Sequence, residues 1–221
     1  QFLSHIREVD AIAEVVRIFE DKDIIHVNNK IDPLSDIETI NLELILADLQ
    51  VVTKRLGSLE KEIKSGKKDA LIEKSGLEKV FKYLEQGKLA SLSKSELDEK
   101  EAPFVKNLQL LSMKPIFYVL NTSEAAENKR EVLSQIPGSF VEVDAVFEKG
   151  FDELIKKSYE ILNLITFFTT GEDETRGWTT HRGSTAPQAG RSIHGDFETK
   201  FIRAEIIEWD KLLEAGSYAT A

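Results

Sequence analysis

Two short segments of the chain carry residue types with which proteins recognise a nucleotide base. Residues 29–32 form an N-K-x-D sequence, in which the aspartate carboxylate can accept hydrogen bonds from two neighbouring donors of guanine. Residues 121–124 read N-T-S-E, so the lysine is absent and the acidic side chain is one methylene longer. Because the longer side chain should spoil the two-point match to guanine, this second segment favours adenine.

The position of each segment along the chain bears on which of them could meet a ligand. In an open α/β sheet, ligands bind beyond the carboxyl ends of the strands. Residues 121–124 directly follow the apolar run 115–120, which predicts a buried strand, whereas residues 29–32 follow a polar stretch. We therefore predict a base contact at 121–124 and a loop at 29–32. From the residues alone, the 121–124 segment could equally cap the next helix.

The charge of the chain limits the ligands that it could attract. The formal net charge of −10 argues against a general polyanion-binding surface, so any RNA contact would have to be local. Residues 176–203 are one such region, since five basic residues and two acidic ones give 5 − 2 = +3. A surplus of this size is also common on solvated surfaces. The five basic residues are Arg176, Arg182, Arg191, Lys200 and Arg203.

Composition and the start of the chain exclude other classes. The absence of cysteine excludes disulfides, thiolate metal sites and cysteine nucleophiles, and it fits a reducing cytoplasm. No apolar run approaches the roughly 20 residues that span a bilayer, so we expect no membrane segment. The chain begins at Gln1 without an initiator methionine or a signal-peptide pattern, and we expect it to be the remainder of a longer protein.

The elements that would place the 121–124 segment alternate between strand and helix. Three apolar runs rich in β-branched or aromatic residues predict strands, and two other stretches predict helices. This alternation favours a parallel sheet in an α/β domain. The predicted strands are 11–19, 115–120 and 140–143, and the predicted helices are 127–136 and 151–162.

A segment of different character separates the first two predicted strands. Ser35 and Glu38 form an S-x-x-E capping box that predicts a helix start near residue 36, and residues 66–69 predict a turn. Apolar residues on each side of this turn recur with helical spacing, the first set at the alternating steps of a coiled-coil seam. We therefore predict an inserted antiparallel helical hairpin. The seam consists of Ile45, Leu49, Val52, Leu56, Leu59 and Ile63, and the facing stripe of Leu77, Val80, Phe81 and Leu84.

From Leu164 onward the pattern changes again. Residues 164–170 and 201–207 are rich in apolar and β-branched residues and predict strands, and glycines recur between them. Both tryptophans of the chain also lie in this part. We expect a small α+β module of the β-grasp kind.

Four longer strings resemble signature stretches of the YchF, or Obg-like ATPase, family, and they occur in the same order. They are QFLSHIREVDAIAEVVRIFEDKDIIHVNNKIDPLSDIETIN, LELILADLQ, KPIFYVLNTSE and LITFFTTGEDETRGWTTHRGSTAPQAGRSIHGDFETKFIRAEII. The resemblance implies a Ras-like P-loop NTPase domain of the α/β class, interrupted by a helical coiled-coil domain and followed by an α+β TGS domain. The nucleotide-binding domain would comprise 1–33 and 103–163, the coiled-coil insertion 34–102 and the TGS domain 164–221.

The resemblance also implies roles for individual residues. Asn121 and Glu124 match the family's N-x-x-E base motif, which is associated with ATP in preference to GTP, and Thr122 would add backbone contacts to the base. His26 matches a loop histidine proposed in the family to help hydrolysis, for which a positioned water is needed. From the residues alone, His26 could instead form hydrogen bonds only within its own loop.

Three features depart from the family pattern. The G-x-x-x-x-G-K-[ST] phosphate-binding loop and the Mg²⁺ ligands would lie before Gln1, so we do not expect this chain alone to hydrolyse ATP. The motif after the third strand, expected as a small residue followed by alanine, is Asp144-Ala145, which places an added carboxylate near the base. An acidic helical stretch of roughly twenty residues is expected next, yet Glu148 passes almost directly to Gly150.

The resemblance thus implies an ATP-binding and ATP-hydrolysing switch that acts as a monomer in the cytoplasm. ATP and Mg²⁺ are the expected cofactors. The expected partner is the ribosome or RNA, bound through the TGS and coiled-coil domains during translation or stress. Two other functions stay open: an Obg-type GTPase that reads guanine through residues 29–32, and a non-enzymatic scaffold that binds the ribosome.

Overall fold

The computed structural model describes residues 5–19, 32–122, 129–171, 173–217 and 220 of the 221-residue chain. The chain divides into two compact units, which are residues 1–158 and 159–221. Within the described residues, the first unit contains a parallel sheet and a helical hairpin, and the second contains a two-stranded antiparallel sheet and three short helices.

The sheet of the first unit has three parallel strands in the order β1–β2–β3. The strands are β1 at Ile12–Arg17, β2 at Ile116–Asn121 and β3 at Phe140–Val143. The three predicted strands and their parallel pairing are thereby confirmed. β2 is buried along most of its length, which is typical of a central parallel strand. β1 is buried on one face only, since Glu14 and Val16 are covered while Val15 is exposed.

Two helices, α1 at Pro33–Lys64 and α2 at Ala70–Glu85, form the predicted hairpin. Their two predicted apolar stripes pack into one hydrophobic cluster, which confirms that the two helices face each other through these residues. The predicted start of the first helix near residue 36 was wrong. Pro33 is the first helical residue, and the carboxylate of Asp32 caps the helix by accepting a hydrogen bond from the Ser35 backbone N–H at 3.2 Å. Proline at the first position of a helix sacrifices no intrahelical bond, which favours the earlier start.

Short helices lead from the hairpin into β2, and Asp48 of α1 anchors the last of them. The carboxylate of Asp48 is fully buried and accepts hydrogen bonds from the Leu111 N–H at 2.9 Å, the Ser112 N–H at 2.7 Å and the Ser112 hydroxyl at 2.8 Å. Arg7 adds an ion pair at 3.3 Å. A buried charge with this many partners fixes α1 to the segment that enters β2. The short helices are 3₁₀ at Ala90–Glu96, α3 at Ala102–Asn107 and 3₁₀ at Leu111–Met113.

Two further helices complete the alternation of the first unit. α4 spans Lys129–Gln135 between β2 and β3, and α5 spans Phe151–Ile161 after β3, so both predicted helices are confirmed. Residues of α4 and its flank pack on a second hydrophobic cluster, formed where β1 and β2 meet the start of α1. The first unit is therefore an α/β structure.

The second unit begins with an antiparallel strand pair. β4 at Leu164–Thr170 confirms a predicted strand, and it pairs with β5 at Thr175–His181. β5 was not predicted, because Trp178 is its one large apolar residue. Three short helices follow: α6 at Ala186–Arg191, α7 at Gly195–Thr199 and α8 at Trp209–Ala215.

The predicted strand at 201–207 was wrong. These residues have no regular secondary structure, and Ile202 and Ile206 are 91% and 85% exposed. A β-branched segment becomes a strand only where a neighbour completes its hydrogen bonds, and no segment in the described part of the chain pairs with this one.

Glu101, at the amino end of α3, is a buried carboxylate that joins this helix to α2. It accepts hydrogen bonds from Lys79 Nζ at 2.6 Å, the Ser75 hydroxyl at 2.6 Å and the Asp98 N–H at 3.0 Å. The hydrogen bond from the Lys79 ammonium, followed by that from Ser75, lowers the pKa of Glu101 from 4.5 to about 2. The charged form of Glu101 therefore stabilises the folded protein.

We predict that Glu101→Gln lowers the free energy of unfolding at pH 7 by about 1.5–3 kcal/mol, because charge-assisted hydrogen bonds are lost. The stabilisation is complete above pH 4.5 and is lost as the pH falls towards 2, so the difference between the unmodified chain and the variant should shrink over this range. Urea titrations followed by circular dichroism would measure it. Glu99→Gln, at an exposed position two residues away, is the control, and an equal loss in both variants would contradict the prediction.

Candidate nucleotide-binding edge of the sheet

The described base-contact candidates lie where the parallel strands end. Asn121 is the last residue of β2, and in the strand register it is the partner of Arg17 in β1 and of Val143 in β3. The next residue, Thr122, donates its backbone N–H to the Val143 carbonyl at 2.8 Å. Asp144 comes directly after β3. The register thus brings Asn121, Thr122 and Asp144 to one edge, the edge at which open α/β sheets bind ligands.

Two predicted site residues, His26 and Glu124, lie outside the described residues. The elements on either side of this part of the chain are described, since β1 ends at Arg17 and α1 begins at Pro33. The carboxyl end of β1 lies on the same edge as Asn121.

The competing 29–32 segment is described only at Asp32, which is the N-cap of α1. A capping carboxylate satisfies backbone N–H groups of the first helical turn and complements the positive end of the helix dipole. Asp32 thus has a local structural role that accounts for its carboxylate without a guanine.

At Thr122 the side chain is buried, whereas Asn121 is half-buried. Because the Thr122 side chain is covered, a ligand at this edge could meet that residue through its backbone alone. Asn121 retains an amide that can both donate and accept, which is the property needed to read the edge of a base.

The carboxylate of Asp144 organises its own loop. Its Oδ1 accepts hydrogen bonds from the backbone N–H groups of Val146 and Phe147, both at 3.0 Å. The backbones of Asp144 and Lys149 exchange two further hydrogen bonds, at 3.0 and 3.1 Å. The result is a closed turn beside the strand end, with Ala145 exposed on it. Asp144 supplies the carboxylate that distinguishes this chain from the family pattern, and the Oδ1 atom of this carboxylate is used in hydrogen bonds within the turn.

Gly150 allows this turn to close against the strand. It has a φ of 86°, and a Cβ atom at this position would lie 2.0 Å from the carbonyl oxygen of Glu142. No side chain fits such a contact without movement of the backbone. The short junction between Glu148 and Gly150 therefore depends on glycine.

The described residues do not supply a metal site or a membrane segment. Within them, no group of three or more His, Asp or Glu side chains is arranged to bind a metal ion. None of the helices in the described ranges combines the length and the apolar composition that a bilayer crossing requires.

In the second unit, several residues of the predicted basic region have partners, although two of the carboxylates, Asp196 and Glu198, are already subtracted in the surplus of +3. Three of the five basic residues form ion pairs with nearby carboxylates, and the Arg176 guanidinium lies 4.3 Å from the centre of the Trp178 ring. These exposed pairs contribute little stability, yet they reduce the field that an anion would meet. The pairs are Arg191–Glu198, Lys200–Asp196 and Arg203–Glu205.

The first unit is thus an α/β structure with a parallel sheet, polar residues at the carboxyl edge of that sheet and a helical hairpin between its first two strands. Comparison with known proteins identifies the family. The family model YchF-GTPase_C, described as a protein of unknown function (DUF933), matches residues 164–221. The chain belongs to the YchF family, as its similarity to the following relatives shows.

The chain is 42% identical, over its whole length, to the ribosome-binding ATPase YchF of Bacillus subtilis strain 168 and covers 69% of that protein. It is 41% identical to the ribosome-binding ATPase YchF of Haemophilus ducreyi, over 97% of this chain and 66% of that protein. The solved structure of the Schizosaccharomyces pombe YchF GTPase matches with a TM-score of 0.81 and 31% identity, over 99% of this chain and 68% of that one. The chain thus spans about two thirds of the length of these relatives.

We predict that Gly150→Ala destabilises the chain by about 1–3 kcal/mol more than Gly66→Ala, because only the former creates a backbone clash. Both glycines have positive φ, 86° and 78°, so both variants incur the strain of a left-handed conformation. A Cβ atom at Gly66 meets nothing within 4 Å, which makes it the matched control. Urea-induced unfolding would compare the two, and equal losses would show that the turn after β3 is not closed as described.

Proposed function

We propose that this chain is part of a YchF-type, ribosome-associated protein that binds and hydrolyses ATP. The observation that carries the proposal is the strand register, in which Asn121 ends β2 beside the end of β3. It is supported by family membership, since two bacterial relatives are named ribosome-binding ATPases.

In the proposed site, Asn121 and Glu124 meet the edge of the adenine base. Adenine presents one amino donor next to ring acceptors, whereas guanine presents two adjacent donors to a short carboxylate. The Asn121 amide can donate to a ring nitrogen, and the Glu124 carboxylate can accept from the amino group. Thr122 and Ala145 contribute backbone contacts, and Asp144 holds the turn that carries Ala145.

In the proposed reaction, His26 positions the water that attacks the terminal phosphate. Phosphoryl transfer depends mainly on positioning and on charge stabilisation, and an imidazole can position a water by hydrogen bonding. The phosphates and Mg²⁺ would be held by residues other than the described ones, which include no metal cluster. We therefore propose that the chain is inactive without a phosphate-binding loop.

The partner that we propose is the ribosome or ribosomal RNA, met through the helical hairpin, as a coiled-coil domain, and through residues 164–221, as a TGS domain. On this proposal the nucleotide-binding domain comprises 1–33 and 103–163 and the hairpin domain 34–102, and the monomeric protein acts in the cytoplasm during translation or stress. GTP binding is the second candidate function, because the Schizosaccharomyces pombe relative is named a GTPase.

The codons upstream of Gln1 test the ATPase proposal first. We expect them to encode a G-x-x-x-x-G-K-[ST] loop, since a P-loop ATPase needs its backbone and lysine to bind the phosphates. Sequencing the complete reading frame gives the answer. A frame without this loop would favour the non-enzymatic scaffold.

For base selectivity, we predict that the product of the complete reading frame binds ATP more tightly than GTP. Glu124→Asp should reduce this preference by about tenfold, because the shorter carboxylate restores part of the guanine match. Calorimetric titration with each nucleotide measures both affinities. Glu131→Asp, an exposed position on α4, is the control and should change neither. A clear GTP preference in the unmodified protein would reject the adenine assignment.

For catalysis, we predict that His26→Ala leaves ATP affinity within about twofold and slows turnover by about 10²-fold, in the range of general acid–base contributions. Phosphate release under single-turnover conditions separates the chemical step from binding. His5→Ala, at an exposed position, is the matched control. Unchanged turnover in His26→Ala would remove the histidine from the mechanism while leaving the base site intact.

A further inference from the structure

Glu14 places a carboxyl group between the sheet and the helical hairpin, where its neighbours are apolar. It lies on the same face of β1 as Val16, which packs with Ile37 of α1 in the second hydrophobic cluster. Glu14 is only 8% exposed, and its Oε2 has no hydrogen-bond partner among the described residues. A buried carboxylate without a partner is costly, so its protonation state affects the packing around it.

Among the described residues, the groups that act on Glu14 supply no positive charge. Tyr118 of β2 is its direct partner in the parallel register and is itself buried. The Tyr118 hydroxyl accepts a hydrogen bond from Asn41 Nδ2 of α1 at 3.3 Å, while Asn41 Oδ1 is a second buried oxygen without a partner in the described part of the chain. Asp36, in the first turn of α1, adds a negative charge. Two buried oxygens in this interface, Glu14 Oε2 and Asn41 Oδ1, therefore lack a donor among the described residues.

Protonation of the Glu14 carboxylate would supply a donor to this interface. A neutral carboxyl group has an O–H that donates, whereas a carboxylate only accepts. Burial, and after it repulsion from Asp36, raises the pKa of Glu14 from 4.5 to about 7. Glu14 is thus neutral in the folded protein over a range in which an exposed glutamate is ionised.

We propose that Glu14 is a proton-dependent contact between β1 and α1: as the neutral acid it donates its O–H to the unpartnered Asn41 Oδ1, and its ionisation weakens the packing of the hairpin on the sheet. On ionisation the proton passes to solvent and the interface retains a buried negative charge. No described lysine or arginine is paired with Glu14 to offset that charge.

This contact would also act on the candidate site. β1 and α1 are the described elements on either side of residues 20–31, which include His26, so a weaker contact between them would change how firmly these two elements are held together. This consequence rests on the proposed function, whereas the proton-dependent packing itself does not.

The direction of the pH effect follows from the two protonation equilibria. The folded state holds the Glu14 proton up to about pH 7, while the unfolded chain releases it near 4.5. The stabilisation is therefore complete below pH 4.5 and is lost as the pH rises through 7. Between pH 5.5 and 8.5, this single group should raise the unfolding equilibrium constant by about 30-fold.

Urea titration of the whole chain at pH 5.5 and 8.5, followed by far-ultraviolet circular dichroism, tests the proposal. The unfolding equilibrium constant of the unmodified chain should rise about 30-fold between pH 5.5 and 8.5, relative to that of Glu14→Gln. Glu14→Gln keeps the shape of the neutral acid, so it should be more stable than the unmodified chain at pH 8.5. Glu14→Leu, which removes the titrating group in another way, should also lack the change. Glu43→Gln, at an exposed position on α1, should keep it.

Three results would overturn the proposal. One is a pH dependence that persists unchanged in Glu14→Gln and Glu14→Leu, and another is its absence from the unmodified chain. The third is restored stability at pH 8.5 on addition of K⁺ or Mg²⁺ to the unmodified chain but not to Glu14→Gln, since a cation rather than a proton would then bridge the oxygens. All three are read from unfolding, so failure of the ATPase proposal would leave them unaffected.

Discussion

The parallel pairing of β1 with β2 is the constraint on which the rest of the first unit depends. Parallel neighbours cannot be joined by a tight turn, so a crossover must connect them, and here the crossover is residues 18–115. It contains the whole hairpin. The same pairing fixes the register that sets Asn121 between the ends of β1 and β3. Architecture and candidate site thus follow from one set of backbone hydrogen bonds.

The hairpin and the sheet have separate hydrophobic clusters, and buried polar groups join them. Asp48 ties α1 to the entry of β2 through satisfied hydrogen bonds. The other junction lies between β1 and the start of α1, where Glu14 Oε2 and Asn41 Oδ1 lack partners among the described residues. The carboxylate at one junction therefore has several donors, whereas the two oxygens at the other have none among the described residues.

The sequence predicts best what depends on apolar periodicity. The three parallel strands were predicted from short apolar runs rich in β-branched or aromatic residues, and both faces of the hairpin from apolar residues at helical spacing. In the second unit, composition did not predict the strands correctly. The polar segment β5 pairs with β4, whereas the β-branched residues 201–207 pair with no described segment. The location of Asn121 at a strand end followed from its position after an apolar run.

Features that depend on hydrogen bonds in the folded structure were harder to predict from the sequence. The bonds of Asp144 arise from the length of its turn. Glu14 carried a usable signal, because it falls in phase with Val16 rather than with the exposed Val15. Its charge marked it as an anomaly on a buried face.

The separate core of the hairpin also bears on the order in which the chain folds. Its contacts are local in sequence, so they can form before distant strands meet. Closing a long flexible loop is entropically costly, and a crossover that has already condensed into two antiparallel helices returns its ends to the same neighbourhood. Early formation of the hairpin would then lower the entropic cost of pairing β2 with β1.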